Sequence, residues 1–420
     1  MTTSPPGPRS KAKPAARQIS PVTATDPGGP AAVVAVKRLF AAETGSYFLL
    51  LGTTLFLVVF GLIMVLSSSA VESFTASGNF FNGFVRQALF AAIGVPLMLI
   101  AARLPAFFWK KWASRLMVIA IGLQLLVFVP HIGVEVNGNR NWINIAGFTA
   151  QPSELVKVAL VLWLAKSLAD IQDRLGDWRA LAKLLIPAGI ATALDLLGGD
   201  VGTAIIFIAI VFAALFFAGV NLRLLALPLI ALALAGASLA LGSGSRASRI
   251  AATVSGCQTD TDHFGMCWQT VHGWWALASG GVFGVGLGNS KLKWSWLPEA
   301  ANDFIFAIIG EELGLVGAIL VLALLLVLAT TFLRIIHARR QRDVFARVAV
   351  SAVLVWIIGQ AFVNIAVVLG LLPVLGVPLP LISSGGSALV TTLLGIGIVL
   401  SFARHARDVT SVPSTGGRQA

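Results

Sequence analysis

Ten stretches of this chain are apolar for long enough to cross a lipid bilayer, and little sequence separates most of them. They run about 46–68, 85–103, 114–131, 153–169, 180–196, 201–220, 222–242, 303–333, 346–371 and 385–403. A bilayer core takes about 20 residues of helix. Lipid offers no hydrogen bonds, so a crossing backbone must satisfy its own polar groups, which selects helices. The chain is 57% hydrophobic and 11% charged, too little polar surface to cover a water-soluble domain. The expectation is an all-α polytopic integral membrane protein with about ten transmembrane helices. The fourth span is short and carries Glu154 and Lys157. Only Gly198, Gly199 and Asp200 part the fifth from the sixth.

The net charge of +12 does not point to nucleic acid, because no basic stretch accompanies a DNA- or RNA-reading motif. The basic residues instead sit between apolar runs, where they act as topology signals. The N-terminal tail, the loops near 103–115, 166–183, 221–223 and 334–347, and the C-terminus hold 23 of the 30 Lys and Arg. That face is expected to be cytoplasmic, with both termini on it. Residues 1–45 read as a disordered basic tail, rich in Pro, Ala, Ser and Thr. The first span, too far from the start for a signal peptide, reads as an uncleaved anchor. Residues 46–405 form the transmembrane domain, and 406–420 a cytoplasmic C-terminal tail. The segments near 70–84, 132–152, 243–302 and 372–384 then face outward. Both 132–152 and 243–302 exceed what joining two helices needs, so function is expected there. Cys257 and Cys267 lie in the 243–302 loop, and an oxidising outer compartment would let them form a disulfide; two unpaired thiols are the alternative.

Ionisable groups at membrane depth are costly and mark function by default. Three clusters stand out. The first runs from Asn137 to Ile143 and on to Gln151-Pro152-Ser153-Glu154, with Lys157 one turn later. Pro152 suits a first helical turn, and Glu154 and Lys157 share a face. With Arg140 nearby, this cluster would hold a pyrophosphate at a helix N-terminus; a structural Glu154–Lys157 ion pair is the alternative. The second cluster is Glu299-Ala300-Ala301-Asn302-Asp303, followed by Glu311 and Glu312. Asp303, entering an apolar helix, would be a proton acceptor or a helix N-cap. Glu311 and Glu312, about two turns deeper, are expected to pair with basic groups. The third is the proline-broken segment 372–380 followed by Ser383, Ser384 and two glycines, either a re-entrant turn or a binding surface. Asp200 is a cap or part of the same outer cavity. The glycines at 280, 281, 284, 286 and 288 contain GxGxG without a Rossmann context, so no nucleotide is expected. Trp268, Trp274, Trp275, Trp294 and Trp296 suit a membrane-interface belt, with sugar stacking as the alternative.

These clusters, in this order, resemble the SEDS family (shape, elongation, division, sporulation). The segments that carry the resemblance are NGNRNWINIAGFTAQPSELVK, DVGTA, ASGGVFGVGLGNSKLKWSWLPEAANDFIFAIIGEELGLVG and NIAVVLGLLPVLGVPLPLISSGGSAL. It covers about 46–405, and LLPVLGVPLPLISSGG and GEELGL look more like the FtsW branch than the RodA branch. The resemblance implies ten spans and a peptidoglycan glycosyltransferase that polymerises lipid II beside a class B penicillin-binding protein. It implies work with other division proteins, at the septum, in the lipid of the bacterial cytoplasmic membrane. It places the essential aspartate at Asp303 and maps Gln151, Glu154, Lys157, Arg140 and Asp200 onto family motifs. Glu299, Ser383 and Ser384 are further substrate-binding candidates. The family's His-Thr before the aspartate is Ala301-Asn302 here, which puts a substrate contact by that His in doubt. The Pro before the acid of the family's PDxGTA segment is Gly199.

Such a reaction needs a base at the acceptor hydroxyl and positive charge at the leaving pyrophosphate. Asp303 would be the base, with Arg140 and Lys157 at the pyrophosphate. No cofactor is required by the sequence; a divalent cation such as Mg2+ or Mn2+ is one further way to neutralise the pyrophosphate. The rival readings are a flippase for the lipid-linked precursor, using the intramembrane acids, and a non-catalytic division scaffold.

Overall fold

The computed structural model describes residues 45–136, 139–145, 148–221, 224, 251, 256–257, 267–294, 296–339 and 343–404. The N-terminal tail, the seventh expected span apart from Leu224, and the C-terminal tail lie outside the described residues. The helices are α1 Gly45–Ser77, α2 Asn82–Arg103, α3 Ala106–Leu125, α4 Pro152–Asp170, α5 Trp178–Leu197, α6 Val201–Ala218, α7 Trp268–Gly280, α8 Ile305–Arg339, α9 Val344–Leu354, α10 Gln360–Val368 and α11 Gly386–Ala403. A π-helical turn, Val355–Gly359, joins α9 to α10. Eight of the described spans are long and apolar enough to cross a membrane, α9 and α10 counting as one.

The fourth expected span is the exception, for a physical reason. α4 carries Glu154, Lys157, Lys166 and Asp170, and 13 of its 19 residues are buried. It contacts α3, α5, α6, α9 and α11. A charged helix can sit at that depth because protein surrounds it.

Several elements differ from the expectation. α1 runs to Ser77, past the expected end at 68, and serines in this extension bond back to carbonyls four residues earlier (Ser69 to Val65, Ser77 to Ser73). Gly78, at φ 70°, then ends it. The 132–152 loop is a three-stranded antiparallel sheet, β1 Gly133–Val136, β2 Asn139–Ile145 and β3 Phe148–Ala150. The fold is therefore helical with one small sheet.

The 243–302 loop is also more than a loop. Its described part includes α7, which packs on α8, and a glycine-rich segment that docks on a break in α8. Gly314 interrupts that helix at φ 67°, ψ −162°, a conformation essentially reserved for glycine. The break frees polar groups, and the segment takes them up. Val285 and Gly286 N–H donate to Glu311 O and Glu312 O, at 3.0 Å each. Leu315 and Val316 N–H donate to Gly281 O and Val282 O, at 2.9 and 3.2 Å. A Cβ on Gly284 would collide with Glu312 O, so this glycine series serves close backbone approach rather than a nucleotide.

The two glutamates beside the break are buried, Glu311 at 1% and Glu312 at 0% exposure. Glu312 accepts from Ser67 Oγ of α1 at 2.7 Å and pairs with Lys293 at 3.2 Å. Glu311 accepts from Lys291 N–H at 2.8 Å and from the Ser290 hydroxyl. They hold α1, the glycine-rich segment and α8 together.

Candidate functional site

The N-terminal turn of α4 begins the site. Pro152 occupies the first turn, and Glu154 and Lys157 follow one turn apart. Lys157 Nζ lies 2.8 Å from Glu154 Oε1. It also donates to Gln360 Oε1 at 3.1 Å and sits 5.3 Å over the Trp356 ring. Thr391 of α11 donates to the other Glu154 oxygen at 3.1 Å. Both charges are enclosed, at 2% and 3% exposure. A buried pair persists only with such added hydrogen bonds, because each ion loses its water. The geometry is that of an internal ion pair rather than of a free ammonium facing outward.

Gln360 passes the connection on. Its Nε2 donates to Pro378 O at 2.9 Å. One turn further along α10, Asn364 Nδ2 donates to Val377 O at 2.8 Å and to Asp303 O at 2.7 Å. Two amides on one helix face thus hold three elements: α4 through Lys157, the proline-broken segment through adjacent carbonyls, and the turn that carries Asp303.

That turn lies just before α8, with Asp303 only 6% exposed. Glu299 adopts a left-handed φ of 55°, and its carbonyl accepts from Asn302 N–H and Phe304 N–H at 3.0 and 3.2 Å. The Glu299 carboxylate is exposed and accepts from the Asn302 amide. Ser383 Oγ donates to Asn302 O at 2.6 Å and accepts from Leu379 N–H at 2.8 Å. Ser384 N–H donates to Ala301 O at 2.9 Å. These contacts spend the Ser383 hydroxyl and the Ser384 amide on the Asp303 turn. Gln87 of α2 clamps the same segment, donating to Ser383 O at 3.0 Å and accepting from Gly385 N–H at 3.2 Å. A small cavity beside it is lined by Gln360, Pro378, Ser383 and Thr392.

A second group surrounds Asp200, the N-cap of α6. Asp200 accepts from Thr203 N–H and Oγ1 at 2.8 Å each, and from Gln151 Nε2 at 2.9 Å. It is both the cap and the partner of Gln151. Burial pushes its carboxyl above the ordinary range, against the lowering effect of the Thr203 bonds and Lys157. Arg140 N–H donates to Gly198 O at 2.8 Å, which fixes β2 to the same turn. The half-buried Arg140 has no ion-pair partner among the described residues.

On the other side, α7 braces the segment leading into the Asp303 turn. Trp268 Nε1 donates to Trp296 O at 2.9 Å and Gln269 Nε2 to Pro298 O at 3.2 Å. The Trp268 and Trp296 rings stack, with centroids 6.1 Å apart. Cys257 and Cys267 are disulfide-bonded, with Cα atoms 5.8 Å apart, and Cys267 caps α7.

Sequence reasoning missed Gln87, Gln360, Asn364 and Asp195. Asp195 carried a readable signal, a lone acid inside an apolar span. The amides carried only a weaker one, polarity without charge. Among the described residues no three His, Cys, Asp or Glu side chains come together as a metal site.

Fold and site together define a polytopic helical membrane protein whose ionisable groups gather where a turn meets the ends of several spans. Residues 47–408 match the family described as Cell cycle protein, which groups FtsW, RodA and SpoVE. The chain belongs to this family. It is 38% identical over 401 residues to the probable peptidoglycan glycosyltransferase FtsW of Mycobacterium tuberculosis, covering 95% of this chain and 76% of that protein. It is 36% identical to stage V sporulation protein E of Bacillus subtilis, covering 87% and 99%. The solved Thermus thermophilus rod shape determining protein RodA superposes with a TM-score of 0.62 at 26% identity, covering 87% and 98%. A chain from a peptidoglycan synthase complex that coordinates polymerization and crosslinking superposes at 0.67 with 28% identity, covering 84% and 96%.

Proposed function

We propose that this protein is a peptidoglycan glycosyltransferase that polymerises lipid II at the outer face of the bacterial cytoplasmic membrane, for septal wall synthesis. Family membership supports the activity. The observation that carries the mechanism is the Asp303 turn, tied through Asn364 and Gln360 to the buried Lys157–Glu154 pair.

The reaction joins a sugar hydroxyl of one glycan to the anomeric carbon of another. The new C–O bond forms as the bond to undecaprenyl pyrophosphate breaks, and the hydroxyl proton passes to a base. Asp303 is that base. Arg140, which has no ion-pair partner among the described residues, meets the charge growing on the pyrophosphate. Lys157 is held by Glu154 and Gln360, so its role is to position the Asp303 turn and to lend a buried positive charge. Gln151 and Asp200 set the turn under Arg140. Ser383 and Ser384 support the Asp303 backbone, and the exposed Glu299 lies at the substrate side. A divalent cation such as Mg2+ or Mn2+, if bound, would help neutralise the charge on the pyrophosphate. Both termini are cytoplasmic, and the partners are a class B penicillin-binding protein and other division proteins.

The test gives labelled lipid II to the purified protein, alone and with a class B penicillin-binding protein. Glycan polymer that vanishes in Asp303→Ala is expected. Precursor crossing liposomes without polymer would replace this reading with a flippase. Failed division with intact polymerisation in Asp303→Ala would replace it with a scaffold.

A further inference from the structure

Asp195 lies two residues before the end of α5, inside an apolar span, and is 0% exposed. Gln124, near the end of α3, is also 0% exposed. Gln124 Nε2 donates to Asp195 Oδ1 at 2.8 Å. The other oxygen of each group, Asp195 Oδ2 and Gln124 Oε1, is buried and has no hydrogen-bond partner among the described residues. Orphan acceptors are costly in a dry interior; these two belong to groups already joined by one hydrogen bond, and a hydrogen on Asp195 Oδ2 directed at Gln124 Oε1 would satisfy both.

We infer that Asp195 carries a proton and closes a cyclic acid–amide pair with Gln124, a neutral latch that fastens α3 to the α5–α6 turn. In this pair Asp195 Oδ2–H donates to Gln124 Oε1 while Gln124 Nε2–H donates to Asp195 Oδ1. A bare carboxylate would turn its charge toward the amide oxygen. Of the charged groups that face it, Asp200 of the turn and Glu154 of α4 oppose that state, while Lys157 favours it but is already paired with Glu154. A metal cation needs about six oxygen ligands, and only two orphan oxygens are present. A proton needs two.

The latch sits directly under the candidate site. The Asp195 carbonyl accepts from Asp200 N–H at 3.0 Å, and three residues on, Gly198 O receives Arg140 N–H. Asp195 is therefore a positioning residue: its side chain anchors the turn to α3, and its backbone shapes the turn that orients Asp200 and Arg140. Loss of the proton would set two acceptors against each other and loosen that turn.

The experiment is infrared difference spectroscopy on the full-length protein in lipid nanodiscs, wild type minus Asp195→Asn. At neutral pH the wild type should show a protonated-carboxyl C=O band that the variant lacks. A carboxylate band in its place, lost in Asp195→Asn, overturns the inference. Asp195→Asn preserves both hydrogen bonds as an amide–amide pair, so it should melt like the wild type, whereas Gln124→Leu should melt lower. If Gln124→Leu melts unchanged, the latch is refuted. The consequence for activity rests on the glycosyltransferase reading: polymerisation should fall off at alkaline pH in the wild type and persist in Asp195→Asn. An alkaline loss shared equally by both refutes the positioning role. The infrared and melting results stand even if no polymer forms, so failure of the activity reading is distinguishable from failure of the latch.

Discussion

At the scale of single residues, side chains that appear to be substrate contacts in the sequence are largely engaged with one another. Lys157 is the clearest case. Removing either partner of a buried, hydrogen-bonded ion pair leaves the other uncompensated and costs about 3–5 kcal/mol. Lys157→Met should therefore lower the melting temperature sharply, and the double variant Lys157→Met/Glu154→Gln should recover part of the loss. A melting series on the wild type and these two variants checks this. Asn364→Ala should cost less, about 1–3 kcal/mol for the unpaired carbonyls it leaves. Its polymerisation rate should fall further than its stability, because the Asp303 turn loses a tether; thermal melts and the lipid II assay together read the difference.

Elements reveal why some parts of the fold were legible and others were not. Lipid demands long apolar helices, so α1, α2, α3, α5, α6, α8, the α9–α10 span and α11 are visible as hydrophobic runs. α4 is visible as an anomaly, because a short run with charges crosses only inside protein. The small sheet reads as loop in the sequence, although Arg140, Trp142 and Asn144 alternate with their neighbours as a strand does. The break at Gly314 is invisible in the sequence because it depends on a segment about 30 residues earlier docking against it. That dependence is testable. Gly314→Ala forces a side chain into a glycine-only conformation and against Val282 O. It should cost at least about 1–3 kcal/mol and free the 281–286 amides to exchange, as measured by hydrogen–deuterium exchange. Gly122, which would meet nothing within 4 Å, should accept Ala without loss.

For the whole molecule, the architecture brings distant parts of the chain to one place. α4 supplies a buried charge pair at the centre, α10 carries two amides that reach from it to the Asp303 turn, and α2 and α7 brace that turn from either side. The disulfide holds the start of α7, and a loop of this size contributes about 2–3 kcal/mol by the chain-entropy account. Reduction should lower the melting temperature and weaken polymerisation, with little effect on Cys257→Ser/Cys267→Ser compared before and after reductant. Asp303 was legible from the sequence because an acid at the mouth of an apolar helix stands out. Its supporting amides were not, since uncharged polar groups in spans are common and acquire meaning only when their partners are known.

The central claim is that Asp303 takes the acceptor proton and is held for that purpose rather than for stability. The most direct measurement compares lipid II binding and polymerisation by the wild type and Asp303→Asn in the same nanodiscs. The substitution should leave binding and the melting temperature near wild type while polymer disappears. Polymer made by Asp303→Asn at the wild-type rate would contradict the account.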